Sequence, residues 1–189
     1  MTGWLTQDEK QSLLRLARQS IAAAVRRESP PDLDPASLTP NLLAEGASFV
    51  TLTKHGALRG CIGALEPYQP LAADVREHAA AAALEDYRFH PVQEAELAEI
   101  QIEVSRLTVP VPLEYIDADD LLAKLRPGVD GVILRDDWRR ATFLPQVCEK
   151  IPDKAEFLRN LCYKMGADPD TWRKKHLEVL VYQVEEFHE

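Results

Sequence analysis

The sequence predicts an α+β protein in which a mixed, largely antiparallel sheet is flanked by helices. Three observations lead there. Apolar residues recur at helical spacing near the start, strict two-residue alternation appears from Ile100, and strands and helices are interleaved with no regular strand–helix–strand period. At 189 residues, 46% hydrophobic and 28% charged, the chain has globular composition and suits one domain over 1–189.

Thr6 followed by Glu9 reads as a capping box, and Leu13, Leu14, Ala17, Ile21, Ala24 and Val25 continue a helix to near Glu28. Pro30, Pro31, Pro35 and Pro40 make the next stretch irregular, since each fixes its own φ and restrains the residue before it. Ser48–Thr53, a turn at His55-Gly56 and a return over Ala57–Leu65 predict a hairpin. Pro70 suits a first helical turn, with Leu71, Val75, Ala79, Ala82 and Ala83 carrying the helix to Leu84. Ile100, Ile102 and Val104 alternate with Gln101, Glu103 and Ser105 as a half-buried strand, which Pro110 and Pro112 are expected to end. A short capped helix over Asp117–Leu125, strands at Val132–Leu134 and Ala141–Phe143, a helix over Lys154–Met165 and a last strand over Leu177–Val184 complete the reading. A smaller subdomain around 109–147 would have one crossing in the proline-rich Val109–Pro112.

A formal charge of -9 disfavours holding nucleic acid through its phosphates, which needs a concentrated positive surface. No apolar run reaches the roughly 18 residues of a membrane span and no N-terminal segment reads as a leader, so no membrane partner and a cytoplasmic location are expected. Cys61, Cys148 and Cys162 are odd in number and form no C-x-x-C pair, which favours reduced thiols. The five histidines are scattered without metal-ligand spacing, so no metal is expected, and no phosphate-loop, dinucleotide or serine-hydrolase motif is present. The cofactor, if any, stays unknown.

Leu58-Arg59-Gly60-Cys61-Ile62-Gly63 is the most informative stretch. On a regular strand Arg59, Cys61 and Gly63 share one face and Leu58, Gly60 and Ile62 the other, which sets a guanidinium beside a thiol. Such a cation favours the thiolate, and the glycines leave room for a ligand or another backbone. From periodicity alone a buried structural cysteine in a glycine-containing strand is the plainer reading of the same pattern. Asp86 and Arg88 follow a helix closely, so Arg88 either grips an anionic ligand or pairs with Asp86 or Glu103 to lock two segments. Glu103 and Ser105 share the polar face of their strand, as a base and its neighbour in a cleft or as plain solvent-face residues. Pro145-Gln146 presents an amide to a ligand or forms a turn with a capping glutamine.

These residues carry a family resemblance. The Leu-Arg-Gly-Cys-Ile-Gly hexapeptide, Asp86-Tyr87-Arg88-Phe89-His90-Pro91, Ile102-Glu103-Val104-Ser105, Leu144-Pro145-Gln146-Val147, Phe157-Leu158, Lys164 and the terminal Phe187 together make the chain resemble an AMMECR-type domain, the AmmeMemoRadiSam system protein A. The resemblance implies a larger and a smaller lobe with a cleft between them, where the shared motifs gather. It also implies partnership with a Memo-like protein and a radical S-adenosylmethionine protein in a modification pathway. Arg106, Arg139 and Arg140 stand where the family's pattern is usually apolar or glycine-containing, which would alter the charge of the cleft.

Two readings of function follow. One is a modification enzyme or enzymatic subunit with catalytic Cys61 and Glu103, whose ligand, an anionic small molecule or peptide, meets Arg59, Gly60, Gly63, Asp86, Arg88, Phe89, Ser105, Pro145 and Gln146. The other is a non-catalytic binding or scaffold module in which Cys61 merely packs. An RNA-binding role ranks last, with only the local arginines in its favour.

Overall fold

The computed structural model describes residues 4–189. The chain divides into two compact units: one runs to Thr108 and takes back Glu185–Glu189, and the other is Val109–Val184.

The first unit begins with α1 (Gln7–Arg26), closed at its start by the Thr6/Glu9 capping box and at its end by Arg27 in the left-handed conformation. After α2 (Pro40–Leu43), β1 (Glu45–Lys54) turns at His55-Gly56 into β2 (Ala57–Gly63). Both turn residues have positive φ, the geometry of a two-residue hairpin whose twist matches its strands. The two-residue β3 (Gln69–Pro70) leads into α3 (Leu71–Leu84), and β4 (Ile100–Leu107) closes the segment. With β9 (Val184–His188) the strands run β2-β1-β4-β9, and β3 pairs with β1 beside this path. One sheet face packs Val50, Leu52, Ile102, Val104 and Phe187 against Leu13, Leu14, Ala17 and Ile21 of α1 and the small residues of α3. Each large aliphatic side chain enclosed in this way contributes on the order of 1.5–3 kcal/mol.

The second unit holds β5 (Val111–Pro112), α4 (Ala118–Lys124), β6 (Gly131–Asp136), β7 (Arg139–Phe143), α5 (Val147–Lys150), α6 (Lys154–Lys164), α7 (Thr171–Lys174) and β8 (Glu178–Tyr182). Its strands are ordered β5-β8-β6-β7, and all three pairings are antiparallel. Trp172, Leu134, Leu158, Leu161 and Leu121 fill its core. The α+β class read from the sequence is the one observed, as two sheets with flanking helices.

Two sequence expectations need correction. Pro112 does not merely stop a strand: β4 ends at Leu107, and Pro112 itself lies in β5 at the margin of the second sheet, where a residue without an N–H is tolerated. The single strand expected over Leu177–Val184 is two strands in two sheets, β8 and β9, broken at Gln183. Buried residues continue on both sides of the break at Val181, Tyr182, Glu185 and Phe187, so hydrophobic patterning does not mark where the chain changes sheets.

Candidate functional site

The hexapeptide lies on β2, the margin of the first sheet, and its alternation is interrupted. Leu52 pairs with Gly60 and Thr53 with Leu58, so Arg59 is the extra residue of a β-bulge. Residues opposite each other in an antiparallel pair share a face. Leu58 therefore joins Thr53, on the side of Thr51 and Cys61, instead of the Gly60 and Ile62 side that strict alternation assigns, and it is 44% exposed. Gly60 lets the strand approach α3: a Cβ there would fall 2.1 Å from the Ala82 carbonyl oxygen. Gly63 lies under the Phe49 ring, where a Cβ would meet ring carbon at 2.5 Å.

Cys61 is half-buried and tied down on three sides. The Thr51 hydroxyl donates to its sulfur at 3.3 Å, its N–H donates to Asp86 Oδ2 at 2.8 Å, and its carbonyl accepts from Arg88 Nη2 at 3.3 Å. Asp86 is buried, and Arg88 closes a fork on it through Nε at 2.9 Å and Nη2 at 2.6 Å. The Arg88 guanidinium, with the N–H groups of Cys61 and Arg88, holds the Asp86 carboxyl well below the usual carboxylate range against the opposing effect of burial. Asp86 in turn raises Arg88, through the hydrogen bonds and charge of its carboxylate. Arg88 is the cation that reaches Cys61, and it does so at the backbone carbonyl. Arg59, expected beside the sulfur, makes its two bonds at 3.1 and 3.0 Å to Glu96 instead, because the bulge takes it out of the strand's alternation.

Glu103 lies in the same row as the thiol, two strands away. Cys61, Thr51 and Glu103 are register partners in sequence across β2, β1 and β4, so they form one row on the sheet face turned away from the core. Adjacent strands lie about 4.8 Å apart, which sets the Cys61 and Glu103 backbones roughly 10 Å from each other. Burial, reinforced by the Glu186 charge, pushes the Glu103 carboxyl up, while His188 opposes it. Ser105, the partner of Phe49 one step along, is buried. Phe89 is half-buried, with the Arg88 guanidinium 5.5 Å from its ring centre.

Pro145 and Gln146 belong to the second unit, where Gln146 occupies the position before α5 and its side chain makes no capping bond to that helix. Arg106 does not charge this face: it is buried and reaches Glu185 at 3.3 Å, alongside Lys10 at 2.9 Å. Thr51 and Glu96 were missed by sequence reasoning. Thr51 was within reach, since its hydroxyl falls on the polar side of β1, whereas Glu96 comes from an irregular segment whose direction no periodicity gives. Among the described residues no three His, Cys, Asp or Glu side chains are grouped to hold a metal ion, and no helix is long and apolar enough to cross a membrane.

Fold and site thus define a two-unit α+β protein that presents a thiol, a hydroxyl and a carboxyl in line on one sheet. The AMMECR1 family model matches residues 14–187, and the chain belongs to that family. A protein of Methanothermobacter thermautotrophicus is 41% identical over 98% of this chain and 96% of its own length. Protein MK0488 of Methanopyrus kandleri is 39% identical over 98% and 90%. The crystal structure of the uncharacterized protein PH0010 from Pyrococcus horikoshii superposes with a TM-score of 0.80 at 32% identity, covering 98% of this chain and 93% of that one.

Proposed function

We propose that this chain is a subunit of a modification system that works with a Memo-like protein and a radical S-adenosylmethionine protein, and that its reacting group is Cys61. The observation that carries the thiol reading is the row Cys61–Thr51–Glu103. A hydroxyl donates to the sulfur, a bond that a thiolate accepts more strongly than a thiol, and a carboxyl with raised proton affinity stands one strand beyond. Arg88, fixed by Asp86 beside the Cys61 carbonyl, supplies the cation. In this reading Cys61 is nucleophile or transfer site, and Glu103 exchanges a proton with the ligand it holds.

The family resemblance supports the partnership, and co-expression with a Memo-like and a radical S-adenosylmethionine protein tests it. Co-purification of the three, lost in none of the site variants but required for turnover, is expected; persistent separation of the chain from both removes the pathway assignment. For the thiol, Cys61→Ala is expected to abolish function in a complementation assay and Glu103→Gln to lower it roughly 10²-fold or more. Full complementation by Cys61→Ala overturns the nucleophile.

One observation favours the alternative of a non-catalytic binding module. Both arginines of the motif region are already forked to carboxylates, Arg59 to Glu96 and Arg88 to Asp86, as structural arginines are. That reading expects ligand or partner binding without turnover.

A further inference from the structure

The ion pairs that hold Arg59 and Arg88 leave part of each guanidinium unused. Arg59 gives Nε and Nη2 to Glu96, and Arg88 gives Nε and Nη2 to Asp86, with Nη2 also reaching the Cys61 carbonyl. Among the described residues no hydrogen bond engages Nη1 of either. A guanidinium has five donors in a planar fork, so a carboxylate on one edge still leaves N–H groups on the other. Both side chains line one open hollow, whose remaining walls are Tyr87, Phe89 and His90.

The walls of that hollow are aromatic, and they are bare. Tyr87 is 94% exposed, an arrangement that gains nothing from burial of its ring within this chain. Phe89 already carries the Arg88 guanidinium 5.5 Å from its ring centre, which leaves Tyr87 as the uncovered ring. The charge count narrows the ligand. Two guanidiniums face the hollow, and each is matched behind it by one carboxylate, Asp86 or Glu96. The surroundings therefore sum to near neutral and suit a singly or doubly charged group better than a polyphosphate.

We propose that this hollow binds a flat aromatic ring bearing one oxyanion, a carboxylate or a phosphate monoester. The oxyanion accepts from the free N–H groups of Arg59 and Arg88, and the ring lies on Tyr87. The carboxylates behind the arginines hold both guanidiniums in place before the ligand arrives, so little side-chain freedom is lost on binding. This deepens the reading of Cys61 as the reacting group by naming what sits beside it, since Arg88 touches the Cys61 carbonyl, but the binding itself does not need the sulfur.

Isothermal titration of the full chain with defined probes tests it. Adenosine monophosphate and benzoate represent the two oxyanions on a ring; adenosine, ribose 5-phosphate and adenosine triphosphate separate ring, anion and excess charge. At least one ring-bearing oxyanion is expected to bind about 10-fold or more tightly than its ring or its anion alone, and more tightly than the triphosphate. Tyr87→Ala, at a fully solvated position, is expected to weaken that binding roughly 5-fold, and Arg59→Gln about 10-fold. Cys61→Ala is expected to leave it unchanged while removing function in complementation, which separates failure of the pocket from failure of the thiol. Absence of saturable binding by both ring oxyanions, equal binding of the triphosphate, or unaltered affinity in Tyr87→Ala overturns the proposal.

Discussion

Cys61 and Cys162 carry the same side chain in opposite surroundings. Cys162 lies on α6 in the second unit with no exposed surface, and burial pushes its thiol up, away from the reactive form. Cys61 lies on the polar face of a marginal strand, half-buried, under a hydroxyl donor and with a guanidinium on its carbonyl. The difference teaches that a strand face can dress a thiol with side-chain partners from neighbouring segments, whereas the apolar side of α6 encloses it and leaves it one backbone partner, Trp172.

The sharpest way to break this comparison is alkylation of the native protein with iodoacetamide, read by peptide mass. Cys61 should react directly and Cys162 only through unfolded molecules, a suppression on the order of 10³-fold or more. Equal rates would place both thiols in one class. Next in size, Gly60→Ala drives a Cβ into the Ala82 carbonyl, a contact between two backbones that no rotamer relieves. We expect a loss of about 3 kcal/mol in denaturant unfolding, because strand or helix must shift. A third test exchanges sulfur for oxygen. Cys162→Ser sets a hydroxyl in an apolar core and should cost ~1–3 kcal/mol, while Cys61→Ser, beside polar partners, should cost under ~1 kcal/mol.

The smallest effect concerns the support beneath the site. Hydrogen bonds from Arg59, then from the Gln93 N–H, lower the Glu96 carboxyl to about 2 from an ordinary 4.5. A carboxyl depressed by folding contributes stability that is fully present above its unfolded value and is lost as pH falls toward the folded one. Wild-type stability should therefore decline between pH 4.5 and 2 partly through Glu96, and Glu96→Gln should flatten that limb. An unchanged acid limb in Glu96→Gln would mean that the Arg59 pair contributes nothing.

Much of this was legible in the residues themselves. The capping box at Thr6, the hairpin turn at His55-Gly56 and the alternation from Ile100 each have one local cause, and each element appears where that cause puts it. In the site, the row holding Cys61 and Glu103 follows from strand parity once β1 is known to lie between β2 and β4. What escaped has non-local causes. The bulge that releases Arg59 is a mismatch between two strands and is invisible in either alone. At the jump only Gln183 and Val184 are half-buried before burial resumes at Glu185 and Phe187, and the direction of Glu96 depends on an irregular turn.

The late return of the chain to its first sheet bears on how the protein is made. During synthesis the ribosome completes β5 to β8 before it delivers β9, the strand that lies beside β4 and supplies the Phe187 ring and the Glu185 carboxylate to the older layer. Until then β4 has an open flank, and the Glu185 carboxylate that Lys10 and Arg106 share has not arrived. A nascent chain stalled before that strand would carry an open, pairing-competent β4 edge.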